Sequence, residues 1–368
     1  MTKHHQPATR GSAIVVGASL AGLMTALTLS RTGLRVTMLE RSTRKVRTGA
    51  ALPVSGGLLE RLTGRRSPDG QDALPPGGQA WADVHAGLSS AARADPGISL
   101  RSPVRVTDVG QDKRSAWVVT AGGEFVRADL VVGADGHASV VRRHVVPEAP
   151  EATFSGYVIW LGLVDEREIR SRAWPSDLAI LYERGYCLNA YYLPGADGSI
   201  AKGKRRIGWG WYDSSRNDLL RARGAVVGDV VQRTLRAADV PDATFDKLAG
   251  EAREIWPSPW REAIVDCICR RAVIGTPIGE YLPHRLVSGR VCLVGDAAHL
   301  PSPMTGRGFD ASAQDALALA NALGGNGNRG SVSDALRRYE AARLDAARQL
   351  VRSGQSFSNS FAPGGAAQ

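Results

Sequence analysis

Residues 12–40 constrain the fold more than any other stretch of the chain. Ala13 to Val16 reads as a short buried strand and GASLAG follows it. Leu20, Leu23, Met24, Leu27 and Leu29 then carry a helix to Gly33, which supplies a left-handed C-terminal cap. Leu34 to Leu39 makes the next strand and ends on Glu40. Strand, glycine turn, helix, strand and acid in that order form the dinucleotide fingerprint: the helix N-terminus takes a pyrophosphate and the carboxylate takes ribose hydroxyls. Ser19 stands at the second glycine of GxGxxG, where it restricts backbone approach slightly and offers a hydroxyl to cap the helix or donate to phosphate.

Two later stretches repeat the pattern of a buried strand ending in an acid. Asp129 to Arg143, DLVVGADGHASVVRR, runs from a strand through Gly133 and the Asp135-Gly136 turn into a helix, with Asp135 also readable as that helix's cap. Cys292 to Asp315, CLVGDAAHLPSPMTGRGFDASAQD, runs from a strand through Gly295 and Asp296 into a loop with Pro301 and Pro303, then Gly306 and Gly308. Rigid prolines followed by bare backbone suit a loop pressed against a flat ligand. Ala313, Ala316, Leu317, Ala320 and Leu323 restart a helix at the glycines, so its positive N-terminal end points over the loop. Together the three acids predict loops converging on the C-terminal edge of one parallel sheet, where open α/β sheets bind ligands.

Composition changes after Pro150. Trp160, Trp174, Trp209, Trp211, Trp256 and Trp260 fall between Phe154 and Val273, and Tyr157–Val164, Leu178–Leu181, Tyr186–Leu193 and Arg206–Tyr212 alternate as strands. The predicted fold class is therefore α/β: a discontinuous Rossmann-like domain over 12–150 and 274–325, with an inserted mixed or antiparallel β-sheet substrate domain over 151–273. A C-terminal helix over 331–353 and flexible ends at 1–11 and 354–368 complete it. Most of the aromatics belong to the inserted sheet's core, with Tyr191, Trp209 and Trp211 as candidates for lining a pocket. Trp81 to Ala94 has helical spacing, Val104–Val109 and Ala116–Thr120 alternate as strands, and the Pro/Gly-rich 64–78 stretch is loop.

A formal charge of +10 raises the question of a polyanionic partner, but the positive charge is scattered Arg with no dense basic tract or interleaved aromatics, which argues against nucleic acid. Cys187, Cys267, Cys269 and Cys292 show neither CxxC nor disulfide-scaffold spacing, so reduced thiols are expected and no metal site. Cys267 and Cys269 alternate as one face of a strand. The polar opening residues lack a signal-peptide core and no stretch has the length of a membrane span, which predicts a soluble, cytoplasmic protein.

The GASLAG turn with Glu40, the VVGADG stretch and the GDAAH stretch occur in the order and approximate spacing of the FAD-dependent aromatic hydroxylases, the single-component flavoprotein monooxygenases of p-hydroxybenzoate hydroxylase type. The resemblance spans nearly the whole chain. TFSGYVIWLGLVDE and ASAQDALALANAL look closest to the branch containing 2,6-dihydroxypyridine 3-hydroxylase. It implies non-covalent FAD, transient NADPH or NADH, and O2 as co-substrate, with one oxygen atom passing through a flavin hydroperoxide to a small aromatic or heteroaromatic ring such as a phenol or hydroxypyridine. By the same resemblance Gly17, Ser19, Leu20, Ala21 and Gly22 face the pyrophosphate. Glu40 takes the adenosine ribose with Arg41 beside it, and Asp135 belongs to the motif shared by FAD and nicotinamide. Gly295 and Asp296 hold the ribityl chain, while Pro303, Gly306, Arg307, Gly308 and Phe309 lie along the isoalloxazine, Pro303 on the substrate side. The sequence does not single out a proton-accepting group: His299 lies in the flavin loop but reads more readily as structural, and Tyr191 and His284 are the other candidates. Arg307, Asp310 and Leu161 depart from the Gln, Asn and Arg common in the family. A monomer or homodimer is expected. Two alternatives stand beside this reading: a same-fold flavoprotein oxidising, epoxidising or reducing a nonaromatic metabolite, and a flavin-binding protein without turnover.

Overall fold

The structure, a computed structural model, describes residues 11–43, 50–66, 74–169, 178–324 and 331–362. The basic positions Arg44, Lys45 and Arg47, as well as Trp174, lie outside the described residues, as do most of the expected flexible ends.

In the first region β1 (Ser12–Val16) and α1 (Leu20–Arg31) lead to β2 (Arg35–Leu39). Then come β3 (Ala51–Val54), α2 (Leu58–Thr63), β4 (Gly77–Ala80), α3 (Trp81–Ala94) and β5 (Ile98–Arg101). A small antiparallel sheet of β6 (Val106–Gln111), β7 (Ala116–Thr120) and β8 (Phe125–Ala128) precedes β9 (Leu130–Gly133) and α4 (Val140–Val145). The inserted region holds β10 (Thr153–Asp165), β11 (Ala179–Glu183), β12 (Tyr186–Leu193), β13 (Arg206–Asp213), α5 (Asn217–Ala222), β14 (Val226–Val227), β15 (Val230–Val231), α6 (Asp242–Ile255), α7 (Trp260–Cys269) and β16 (Val273–Glu280). The chain returns through β17 (Val287–Ser288) and β18 (Val291–Leu293) to α8 (Gly308–Gly324) and α9 (Val332–Phe361).

The first sheet runs β17-β18-β9-β1-β2-β5, with every pairing from β18 to β5 parallel. Its central strands are buried on both faces, as continuous apolar runs in a parallel sheet must be. Val16, Gly133 and Leu293 lie abreast in the register, so the three strand-end loops leave the sheet side by side. Helices α1 and α8 pack over them, tied by the Thr28 hydroxyl donating to the Ala316 carbonyl at 3.1 Å.

The second sheet runs β11-β12-β13-β10-β15-β14, with β16 also on β10, and all of its pairings are antiparallel. Its two faces differ sharply. On one, Trp160, Trp209 and Trp211 are completely buried with Trp256 and Trp260 of the α6–α7 side. Two of these rings lie over cross-strand glycines: a Cβ on Gly162 would stand 2.4 Å from the Trp209 ring, and one on Gly275 would stand 2.7 Å from Trp160. The opposite face carries Ile159, Leu161, Cys187, Asn189, Tyr191, Gly208, Gly210 and Tyr212, which the register places together.

Several expectations change here. Trp209 and Trp211 do not line a pocket: they sit on the helix-covered face, because strict alternation in RIGWGWYD sends the tryptophans one way and Gly208 and Gly210 the other. Cys267 and Cys269 lie on α7, with Cys267 buried and Cys269 exposed. The inserted sheet does not stop at Val273, since β16 pairs with β10 as far as Glu280. The last helix does not stop at Ser353: it continues to Phe361, whose ring meets Tyr157 edge-on at 5.3 Å. Val104 precedes its strand, which begins at Val106. Among the described residues no helix is long and apolar enough to cross a membrane, and no group of His, Cys, Asp or Glu side chains is placed to hold a metal ion.

Candidate active site

The site is built first from absent side chains. Gly17 has φ +100°, and a Cβ there would stand 2.4 Å from the Ala134 carbonyl oxygen. A Cβ on Gly22 would stand 2.0 Å from the Gly17 carbonyl oxygen, and one on Gly295 would stand 2.5 Å from the Ala21 Cβ. The GASLAG, Asp135 and Asp296 loops therefore touch one another, as the sequence predicts, and larger residues would force them apart.

Above the glycines, the first turn of α1 is open. Ser19 occupies the N-cap position of α1, and among the described residues its hydroxyl makes no capping bond, so of the two roles open to it the capping one is not taken. Glu40, at the end of β2, accepts from the Ala18 N–H at 2.8 Å and from the Ser42 N–H at 3.0 Å. Arg41 follows it, exposed.

Asp296 is half-buried in a short 3-10 turn after β18, and its carboxylate accepts no hydrogen bond among the described residues. Its backbone, by contrast, is firmly held. Arg142, a fully buried guanidinium on α4, donates to the carbonyls of Asp296 (3.3 Å), Ala297 (3.1 Å) and Pro150 (2.5 Å) and lies 4.2 Å from the Tyr281 ring centroid. Asp315 of α8 accepts from the Gly295 N–H at 3.0 Å, from His299 Nε2 at 2.7 Å and from Arg343 Nε of α9 at 2.8 Å. Burial pushes the Asp315 carboxyl up, but His299 and Arg343 outweigh it and hold it below its ordinary value. Burial likewise pushes the His299 imidazole down, and Asp315 more than reverses that. His299 Nε2 is turned to Asp315 and the ring is buried, the structural placement that the sequence also allows. It is sealed beneath the loop in an ion-paired cluster.

Asp135 makes the helix-starting contacts that its sequence context also allows. Its carboxylate accepts from Ser139 Oγ at 2.5 Å and from the Val140 N–H at 2.7 Å, so it is spent on starting α4 rather than offered to a ligand. Burial raises its pKa despite those bonds. After Asp296 the chain passes Pro303, exposed at the start of a 3-10 turn, and Gly306, with φ +62° and open space where a Cβ would project, to the start of α8. Arg307 is exposed beside it, Gly308 is half-buried, and Phe309 anchors α8 in the core.

Tyr191 is on the face of the second sheet that can serve a substrate, but its ring lies across Gly208 and its hydroxyl meets the backbone of Ala51. Burial drives its pKa upward. Near it Asn189 Nδ2 donates to the Tyr212 hydroxyl at 3.3 Å and approaches Met304 Sδ at 3.4 Å, joining the sheet to the loop before α8. Sequence reasoning missed Arg142, Asp315, Arg343 and His85, whose Nε2 lies 3.1 Å from the Ala18 carbonyl oxygen. The readable signal was a charged residue on an otherwise apolar helical face, as with Arg142 between Val141 and Val145.

These parts fit one group. Crowded glycines, with a helix start uncapped and an Asp296 carboxylate unpartnered among the described residues, suit a dinucleotide with a polyol chain, so fold and site define an FAD-binding protein. A family model described as FAD binding domain matches residues 10–74 and 251–354, and one described as FAD binding domain-like matches residues 154–268. The chain resembles the FAD-dependent aromatic hydroxylases and is an FAD-dependent monooxygenase. It is 25% identical over 342 residues to 2,6-dihydroxypyridine 3-monooxygenase of Paenarthrobacter nicotinovorans, covering 86% of this chain and 84% of that protein. With 3-hydroxybenzoate 6-hydroxylase of Klebsiella oxytoca it shares 24% identity over 381 residues, 92% of this chain and 86% of that one. Among solved structures, 2,6-dihydroxypyridine-3-hydroxylase from Arthrobacter nicotinovorans superposes with a TM-score of 0.76 at 21% identity, covering 98% of this chain and 95% of that one. Klebsiella pneumoniae HpxO, complexed with FAD and uric acid, gives 0.70 at 20% identity over 99% and 91%.

Proposed function

We propose that this enzyme uses NADH or NADPH and O2 to insert one oxygen atom into a small phenol- or hydroxypyridine-like ring. The observation that carries the reading is the Asp296 carboxylate, without a partner among the described residues at the edge of a parallel sheet and backed by two buried charge clusters that fix its turn. When bound, FAD supplies the redox and oxygen-activating chemistry.

The residues have separable tasks. Gly17, Ser19 and Gly22 present the open α1 terminus to the pyrophosphate. Glu40 accepts from the adenosine ribose and Asp296 from the ribityl hydroxyls. Gly306 and Gly308 let the ring approach the backbone at the start of α8, whose positive end favours negative charge there by about 0.3–1 kcal/mol. Arg307 adds a full positive charge on the same side. Leu161, Asn189, Tyr212 and Met304 form the substrate side, excluding water and orienting the ring. Tyr212, with its pKa pushed up by burial, donates a hydrogen bond instead of taking a proton. Relatives acting on dihydroxypyridine and hydroxybenzoate support a ring already carrying a hydroxyl. We propose a monomer or homodimer in the cytoplasm, with no nucleic-acid partner.

The test is oxidation of NADH and NADPH by FAD-loaded protein across phenols and hydroxypyridines, with hydrogen peroxide quantified. The expected result is one compound that accelerates oxidation while peroxide stays well below the nicotinamide consumed. Oxidation matched by peroxide for every compound would refute oxygen insertion into this substrate class.

A further inference from the structure

The turn that leads from Asp296 to α8 is held from behind by a line of hydroxyls ending on a buried acid. Ser302 is completely buried, and its Oγ accepts from the Met304 N–H at 3.3 Å, capping the Pro303–Thr305 turn. The Tyr157 hydroxyl lies 2.8 Å from Ser302 Oγ and 3.1 Å from Ser358 Oγ. Ser358 donates to Glu280 Oε1 at 3.2 Å, and Ser155 donates to Glu280 Oε2 at 3.0 Å. An ionised carboxylate only accepts, and each hydroxyl has one proton to give. With Glu280 ionised, the line runs from Met304 N–H to Ser302, Ser302 to Tyr157, Tyr157 to Ser358 and Ser358 to Glu280.

The packing around this line is equally specific. At Gly354 the last helix comes so close that a Cβ would stand 2.7 Å from the Ser302 nitrogen and 3.1 Å from Glu280 Oε1. The Tyr281 and Leu300 backbones bond reciprocally at 3.0 and 3.1 Å, joining the end of β16 to the same loop. Phe357 and Phe361 meet Tyr157 and Tyr212 edge-on at 5.3–6.2 Å. A cavity of about 380 Å³, bordered by Glu280, Ser155, Ser358, Gln355 and Asn359, lies at the acid end, while Ser302 at the other end is sealed.

We propose that Glu280, Ser358 and Tyr157 are positioning residues for the Ser302–Thr305 turn, which makes the final turns of α9 a working part of the flavin site. The proposal rests on the reading that Pro303 to Gly308 lies beside the isoalloxazine. None of the three side chains belongs to the pyrophosphate or ribose end. They act on the ring end alone, through the turn.

Wild-type protein stripped of flavin is titrated with FAD and, separately, with ADP, which only the α1 end would hold. Tyr157→Phe, Ser358→Ala, Glu280→Gln and the Tyr157→Phe/Glu280→Gln double variant are treated identically, and the melting temperature of each flavin-free protein is recorded. Each single change is expected to weaken FAD binding about three- to tenfold, the size of one lost hydrogen bond. ADP binding should stay at the wild-type value, and the visible flavin band should shift. The double variant should be no weaker than about the worse single, because both break one line. Unchanged FAD binding and spectrum, equal losses for FAD and ADP, or fully additive losses would overturn the proposal while leaving the enzyme reading intact. A wild-type protein that takes up ADP but no FAD would overturn both.

Discussion

The two sheets prepare their ligand faces by opposite means. At the edge of the parallel sheet the chain takes side chains away: Gly17, Gly22 and Gly295 bring three loops into contact, and buried charges on Arg142 and Asp315 grip the backbone between them. In the second sheet the chain adds side chains and removes charge. Trp160, Trp209 and Trp211 lock one face to α6 and α7, and the free face is left to Leu161, Asn189, Tyr191 and Tyr212. A site made of backbone is fixed by conformation, and its few side chains act almost as switches. A site made of side chains can be retuned one residue at a time without disturbing what lies behind it.

That contrast is broken most directly at Asp296. Asp296→Ala is expected to leave folded protein with FAD affinity lowered roughly ten- to hundredfold, as for loss of hydrogen bonds to a charged group. Flavin content after purification measures it, and a normal content would refute the assigned role. Trp209→Ala should do the reverse, costing about 3–5 kcal/mol of stability while the folded fraction keeps its FAD affinity. Urea unfolding measures the first quantity and FAD titration the second; an altered substrate preference at unchanged stability would place Trp209 on the wrong face.

The buried cluster gives a pH signature. The native His299 pKa is raised above its unfolded value of about 6.5, so the stability it contributes is full below that value and is lost as pH rises through the native one. Wild type should therefore lose stability relative to His299→Gln from about pH 6.5 upward, in urea melts across that range. A difference between the two that stays flat with pH would mean that His299 is neutral in the cluster. The smallest effect is expected at Asn189. Asn189→Ala should raise the KM for the aromatic substrate a fewfold, about 1 kcal/mol, with flavin content unchanged.

What could be read from the residues follows the same division. GASLAG and Glu40 were legible because a tight turn and a strand-end acid are local requirements that the sequence states outright. The four main strands of the inserted sheet were legible from alternation, yet that alternation was not carried to its consequence in RIGWGWYD, where it already separates Trp209 and Trp211 from Gly208 and Gly210. Cys267 and Cys269 look like a strand at a spacing of two, but Ala263, Ile264, Cys267 and Ile268 step as a helix and are the buried set. The end of α9 is hidden by its many serines, although Leu350, Gly354, Phe357 and Phe361 keep the three- and four-residue steps of a packed face. Arg142 and Asp315 were illegible for a different reason. Their partners lie on other elements, and a buried charge announces its role only when those partners are in place.

The strand order has a consequence for how the protein comes into being. β9 lies between β1 and β18, yet β18 is not made until residue 293, long after its neighbour. Until then one edge of β9 is unpaired and the turn bearing Asp296 does not exist. A nascent chain can fold its inserted sheet as far as Glu280 while its nucleotide cleft still lacks a wall. Long-range pairing of this kind is slow and leaves an edge open to association with other chains. Cofactor capture is therefore among the last events of assembly, and flavin supplied during synthesis would trap only those molecules in which the chain from Val291 onward has already found its place.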